Sequence, residues 1–374
     1  MKRDRVVVAG GMAHNPYGGH AWVFLQYLLG FRRLGYDVLF VDRRNADMAI
    51  SDEAGFDRDR EVLEPFGLAE HLALLTQSGD QTLGVEFHEV LDYVQQSALF
   101  LNFMGFITDE RILGAARCRV FFDLDPGFDQ MWRELGLVDV LSGHDRYVTI
   151  AQNIGQPDCA VPTCGFDWIP TSHPIVLGEW PAVRRDGPFT TVGAWRGPNA
   201  PVNYLGKTYG LRAHEFRRFA SLPKRSTANF AAALDIDPGD GNDIELLRQN
   251  GWTLVDAAAA TGTPSAYRSF IQRSGAEFAP AKNMFVQARA GWFSDRSICY
   301  LASGKPVLVQ DTGLGSHYPH GEGLLTFDTI DDAVEGVDSI MNDYDRHARA
   351  ARSIAVDVFD SDKVLKELME KLAA

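Results

Sequence analysis

Cysteine is scarce in this chain. There are four among 374 residues, Cys118, Cys159, Cys164 and Cys299, and no two form a C-x-x-C pair. That spacing excludes a disulfide framework and a thiolate zinc site, and the apolar surroundings predict buried free thiols. Long hydrophobic runs are missing too: none approaches the ~20 residues of a membrane-spanning helix. The N-terminus runs from Met1 straight into Val6-Val-Val-Ala9 without the apolar stretch and cleavage site of a signal peptide, so a cytoplasmic location is expected. Positive charge is in deficit, with 36 Lys and Arg against 50 Asp and Glu and a net charge of −14. The surface as a whole therefore repels nucleic acid and anionic membrane, although a local basic pocket remains compatible. The dinucleotide fingerprint G-x-G-x-x-G is absent. The ten histidines are dispersed; His317-x-x-His320 is the closest pair, lacks a third ligand, and leaves no metal site to expect. There is no internal repeat or low-complexity tract.

What is present reads as alternating strand and helix. Val6–Ala9 is a short buried-strand run, followed by a glycine-rich loop from Gly10 to His20. Residues 21–34 carry Val23, Tyr27, Leu28, Phe31 and Leu34 at helical spacing, Gly35 ends that helix, and residues 36–42 form a second strand ending in Asp42. This βαβ opening places a ligand at the first crossover. Asp42 sits where the ribose-binding acid of an NAD(P) oxidoreductase would be, which keeps an oxidoreductase in view. Further strands are expected near 98–102, 119–125 and 147–150. Six prolines in 155–188 mark a junction between domains, and a second β/α series opens with the strand at 189–192 and the loop Gly193-Ala-Trp-Arg-Gly197. The tail from Asp331 to Leu372 is helical in pattern.

The most informative stretch is 291–313. Ser294, Asp295 and Ser297 mark a helix start, Ile298, Leu301 and Ala302 its apolar face, and Gly304 its end. Val307-Leu-Val309 is a buried strand, and Gln310-Asp-Thr-Gly313 follows at its carboxyl end, where open α/β sheets bind ligands. A helix N-terminus suits a phosphate. Arg296 in the first turn opposes the helix dipole, so an anion is expected near it. Asp311 either binds a ligand hydroxyl or opens an Asx-turn before Gly313.

This segment resembles the donor-binding core of two-domain GT-B glycosyltransferases, similar to family 1 and to the bacterial CgeB/YkvP-like branch. Ala302-Ser-Gly304-Lys-Pro306 matches their A-x-G-x-P helix end, and Arg296 matches an arginine of that branch. Gly19-His20, with Gly35-Tyr-Asp-Val-Leu-Phe-Val41, is similar to the N-terminal pattern of inverting members. One departure stands out: Cys299 occupies the position of the ribose-binding glutamate.

The resemblance implies an α/β fold with two Rossmann-like domains facing each other across a cleft. Residues 1–180 would hold the acceptor, 181–345 the nucleotide-sugar donor, and 346–374 a C-terminal helix returning to the first domain. It implies sugar transfer from a nucleotide-diphosphate donor to a hydroxyl of a small molecule or glycan, without a metal or other cofactor. His20 becomes the candidate base, with His14 as its rival, and Asp123 the residue that orients it. Gly18 and Gly19 would line the substrate. Trp195, Arg196 and Lys282 would face the diphosphate, unless Arg196 only stacks on Trp195. Ser294, Asp295, Arg296, Ser297, Gln310, Asp311 and Thr312 would complete the donor site. A non-catalytic sugar- or nucleotide-binding protein, or an epimerase of the same fold, would carry the same features.

Overall fold

The computed structural model describes residues 4–12, 17–44, 50–79, 81–184 and 187–373. Two parallel sheets organise it. The first has the order β4-β3-β2-β1-β5-β6-β7-β8. Its strands are β1 (Arg5–Gly10), β2 (Asp37–Arg43), β3 (Leu72–Leu75), β4 (Thr82–Gly84), β5 (Leu99–Phe103), β6 (Arg119–Asp123), β7 (Arg146–Thr149) and β8 (Trp168–Pro170). Only the edge pairing of β3 with β4 is antiparallel. The Val6–Ala9 run forms the centre of this sheet because it is apolar on both faces; Val6 pairs with Val38 on one side and Leu99 on the other.

A hairpin, β10 (Val202–Tyr204) with β11 (Lys207–Tyr209), stands apart from both sheets. The second sheet has the order β13-β12-β9-β14-β15-β16 and is wholly parallel. Its strands are β9 (Phe189–Ala194), β12 (Phe230–Asp235), β13 (Thr253–Leu254), β14 (Ala276–Ala279), β15 (Val307–Gln310) and β16 (Leu324–Phe327). Phe189, Phe216, Phe230, Trp252 and Phe278 pack as a buried aromatic cluster on one face of that sheet.

Helix α1 (Gly18–Arg33) follows β1, and α2 (Asp52–Leu63) follows β2. At its first residue α1 meets the helix Pro264–Arg273, which belongs to the second sheet's half. A Cβ on Gly18 would come within 2.1 Å of the Thr263 carbonyl oxygen, so only glycine allows this approach. The Trp22 indole N–H crosses the same seam to the Pro264 carbonyl at 2.9 Å, and its ring lies 5.0 Å from that of Trp180. Asn153 forms a second tie, donating to the carbonyls of Arg289 and Gly313.

Three helices close the chain, Ile330–Asn342, Tyr344–Val358 and Ser361–Ala373. The last lies on α1, where Leu365 fills the space left by Gly30 and Arg33 forks Asp362 at 2.9 and 2.8 Å. That exposed ion pair contributes at most about 1 kcal/mol; the apolar contact is what holds the helix. No helix among the described residues is long and apolar enough to cross a membrane.

Candidate functional site

The carboxyl ends of β9, β14 and β15 converge on the start of the helix Asp295–Ala302. Ser294 is its N-cap and accepts from the Arg296 backbone N–H at 3.2 Å. Ser294, Arg296, Ser297 and Gln310 line one small hollow together with Ala279 and Trp292. Four residues singled out in the sequence are thus brought together, and the buried Ser297 hydroxyl finds no partner there among the described residues.

Several of the expected donor-site residues have partners inside the protein. The anion expected beside Arg296 is internal: the guanidinium bonds the fully buried Glu277 and donates to the Val192 carbonyl at 3.1 Å. Trp195 is core, its N–H bound to Asp243 at 2.8 Å, so its ring has no face left for a substrate. Arg196 neither stacks on it nor stands open; it forks Asp240, the residue just before the helix Gly241–Gln249, at 2.7 and 2.6 Å. Lys282 reaches across the seam to Asp125, between the rings of Phe128 and Phe285. Gln310 accepts from the Ala281 N–H and donates to Glu215 at 2.6 Å, which makes it a structural tie. Asp311 is the Asx-turn, accepting from Gly313 and Leu314. Thr312 is buried and donates to the Trp292 carbonyl at 2.7 Å. Asp295 is half-buried. Gly18 and Gly19 serve close packing, the latter against the Tyr267 ring.

His20 is half-buried on α1. Its Nε2 lies 2.8 Å from the Gly11 carbonyl, which can only accept, so Nε2 carries the proton and Nδ1 is the basic nitrogen. Asp123 does not orient it. Asp123 accepts from Gln130 at 2.7 Å, from Thr149 at 2.8 Å and from the Asp125 N–H at 3.1 Å, and burial pushes its carboxyl up to about 7. His14 lies outside the described residues. Three of the four cysteines are only half-buried; Cys299 alone is fully buried, and all four are free thiols. Burial raises the Cys299 thiol well above its ordinary range, so it does not substitute for the absent glutamate as a charge. No group of three or more metal-ligating side chains exists among the described residues.

The residue that sequence reasoning missed is Arg212. It opens the short helix Arg212–Arg218, is only 9% exposed, and packs its guanidinium against Gly193 at the end of β9, where a Cβ would sit 3.0 Å from Nη1. Its Nε and Nη1 have no partner among the described residues. Burial, with Arg296 nearby, pulls its pKa down to about 9, while Glu277 opposes this. Two buried guanidiniums thus share one buried carboxylate, and Glu277 already satisfies Arg296. Asp295 and Asp125 also act on Arg212 through charge, but none of these carboxylates is hydrogen-bonded to its Nε or Nη1 among the described residues, so a cation with desolvated donors stands beside the hollow.

Solved structures share this architecture over the whole chain. An alpha-glucosyltransferase in complex with UDP and a 13-mer DNA aligns with a TM-score of 0.63 at 13% identity, covering 100% of both chains. Anabaena Alr3699/HepE in complex with UDP-glucose gives 0.59 at 12% identity over 99% of each chain. Sucrose-phosphate synthase from Thermosynechococcus elongatus gives 0.55 at 11% identity, again over 99% of each. The chain has the GT-B fold. No protein-family model matches it, and no curated protein sequence does either. Within the GT-B fold, the hollow at the helix Asp295–Ala302 and the Arg212 guanidinium lie at the carboxyl edge of the second sheet, where this class of sheet takes ligands.

Proposed function

We propose that this protein is a glycosyltransferase that moves a sugar from a nucleoside-diphosphate donor, UDP-linked in the first instance, to a hydroxyl of a small-molecule or glycan acceptor. The observation that carries the reading is Arg212: a buried cation with two nitrogens unpartnered among the described residues, beside a helix N-terminus and a serine hydroxyl likewise unpartnered among them. A diphosphate supplies what that arrangement lacks, because its oxygens accept charge-assisted hydrogen bonds in a fork geometry. The full-length match to UDP-bound GT-B structures supports the same ligand class. Residues 1–180 carry the acceptor side in this reading, 181–345 the donor side, and 346–374 the returning helix. The reading includes a cytoplasmic location.

In the reaction the acceptor oxygen bonds to the anomeric carbon, the bond from that carbon to the diphosphate breaks, and the hydroxyl proton passes to a base. Nδ1 of His20 is our candidate for that base, with the Gly11 carbonyl holding the tautomer. Negative charge grows on the leaving diphosphate, and a fixed, desolvated guanidinium stabilises it without reorganising. On this account no divalent ion is required. The strongly negative net charge favours a neutral or cationic acceptor over nucleic acid.

The test is a melting-temperature screen with UDP, dTDP, GDP and NAD. Ligand at a hundredfold excess over its Kd stabilises by about 2.7 kcal/mol. A rise with a nucleoside diphosphate and none with NAD is expected; a rise with NAD alone would favour the oxidoreductase reading. Release of UDP from UDP-glucose in the presence of EDTA then tests the metal-free mechanism.

A further inference from the structure

A larger cavity, about 660 Å3, lies between α1, α2 and the start of the helix Pro264–Arg273, and shares no lining residue with the hollow at Ser294. That volume suits a ligand of one or two sugar rings. Its walls include the half-buried rings of Tyr17 and Phe66. The Tyr17 hydroxyl is taken by Asp235 of the second sheet, so the ring is what that residue offers a ligand. Such rings give a flat apolar wall against which the C–H side of a sugar packs.

The charges around the cavity sort by whether they are already met. Arg268 and Glu179 meet each other, with Arg268 donating to the Glu179 carboxylate and carbonyl, both at 3.0 Å. Asp59 is fully buried and shares a hydrogen bond with the Asp42 carboxyl, so it is spent inside the protein. Glu61 is exposed, and water solvates it. Arg58 remains. It is half-buried on α2, and among the described residues its guanidinium forms no hydrogen bond and no ion pair; it feels Asp59 only as a charge. A cation partly withdrawn from water and left without a counter-ion gains most from an anion brought to it.

A second feature points the same way. Thr263 and Ser265 bring the start of the ten-residue helix Pro264–Arg273 to this cavity, and a helix start carries unpaired amides and a positive dipole end. The planar guanidinium matches a carboxylate, which it can fork with two parallel hydrogen bonds. One unmatched guanidinium, with the Glu61 carboxylate on the same wall, fits a single negative charge better than a doubly charged phosphate. The negative charge of the surface as a whole is screened within about 8 Å at physiological salt, so the contact is decided inside the cavity.

We infer that this cavity binds a saccharide bearing one carboxylate, a uronic acid unit, which Arg58 forks while the sugar ring lies against Tyr17 and Phe66. That this ligand is also a sugar acceptor rests on the transferase reading; its binding does not.

The experiment is calorimetric titration at pH 7 with two disaccharides that differ at one carbon: cellobiose, and the same sugar with its terminal CH2OH oxidised to a carboxylate. The wild-type protein binds the acid at least about tenfold more tightly, the worth of one charge-assisted hydrogen bond. Arg58→Gln removes the charge from a half-buried helix position and brings the two affinities to near equality. Arg58→Lys keeps a cation without the fork and retains part of the preference. Glu61→Gln leaves the preference standing. Equal binding of the two sugars by wild type, failure to bind either, an unchanged preference in Arg58→Gln, or its loss in Glu61→Gln each overturns the inference. UDP titration of Arg58→Gln checks that the fold and the other site are intact. Acid binding that depends on Arg58, in a protein that binds no nucleotide, sinks the transferase reading and leaves the cavity assignment standing. Nucleotide binding with no preference between the sugars does the reverse.

Discussion

Arg212→Met offers the sharpest separation of ligand binding from folding. Methionine fills most of the volume of the arginine stem and brings no charge. In the free protein, Arg212 keeps Nε and Nη1 buried without partners among the described residues, beside Arg296, whose own charge is met by Glu277. Removing it takes away a buried cation whose desolvation outweighs the attraction of the carboxylates around it, so the free variant melts at the wild-type temperature or above it. Nucleotide binding moves the other way. One or two charge-assisted hydrogen bonds at about 1.5–3 kcal/mol correspond to a ten- to hundredfold weaker Kd for UDP. At a UDP concentration giving wild type about 2.7 kcal/mol of stabilisation, a thirtyfold weaker variant keeps only about 0.9 kcal/mol. Differential scanning calorimetry with and without UDP reads both numbers in one experiment. A variant that binds UDP as wild type does would refute the argument, because the buried charge would then have no bearing on the ligand. So would a variant whose free form is strongly destabilised, since Arg212 would then be holding the fold.

The neighbouring arginine behaves in the opposite way. Arg296→Ala strands the fully buried Glu277 without its partner and lowers stability by roughly 3–5 kcal/mol, seen as a drop in denaturation midpoint even without nucleotide. His20→Ala lowers kcat by ~10²–10⁴ while UDP affinity stays near wild type, since His20 lies on the half opposite Arg212 and the hollow at Ser294; steady-state kinetics beside UDP titration check this, and an unchanged kcat removes His20 as the base. Asp123 and Asp129, pushed up to about 7 and about 8 by burial, keep protons in the folded state that the unfolded chain has released. Their contribution is therefore fully present below about pH 4, the carboxyl's unfolded range, and is lost as pH rises through 7 and 8. The melting temperature should fall between about pH 4 and 8 and level off above that, and Asp129→Asn should flatten the fall.

The legible parts of the fold are those where one signal dominates. Val6–Ala9, the helical spacing that follows and the strand after Gly35 recur as β1, α1 and β2, with ends displaced by a few residues, because apolar runs and glycine stops act locally. β12 is not legible, since its core is Ala231-Ala-Ala233, and alanine has no strand preference of its own; burial between β9 and β13 decides its conformation. The hairpin around Leu205 and Gly206 escapes for a related reason: its strands are three residues each.

The candidate site divides along the same line. Ser294, Arg296, Ser297 and Gln310 do meet, because one helix start and one strand end carry them all. What the sequence could not supply was partner choice. Glu277, Asp240, Asp125 and Glu215 claim Arg296, Arg196, Lys282 and Gln310 from distant positions in the chain. Arg212 carries the signal that singles out Arg296, a cation in the first turn of a helix, but the helix itself spans seven residues and has no apolar period long enough to announce it.

The indoles of Trp22 and Trp180 have one more consequence. Their rings are 5.0 Å apart at an angle of 59°, close enough for their excited states to couple and give a paired band of opposite signs in near-ultraviolet circular dichroism. Trp22 is hydrogen-bonded across the seam to Pro264, and Trp180 is backed by Tyr267 from the same side of that seam. The chain therefore carries its own optical gauge of how the seam is packed, readable without a label: loss of the Pro264 and Tyr267 contacts during turnover changes the band, and a band that persists through the reaction means that the seam stays closed.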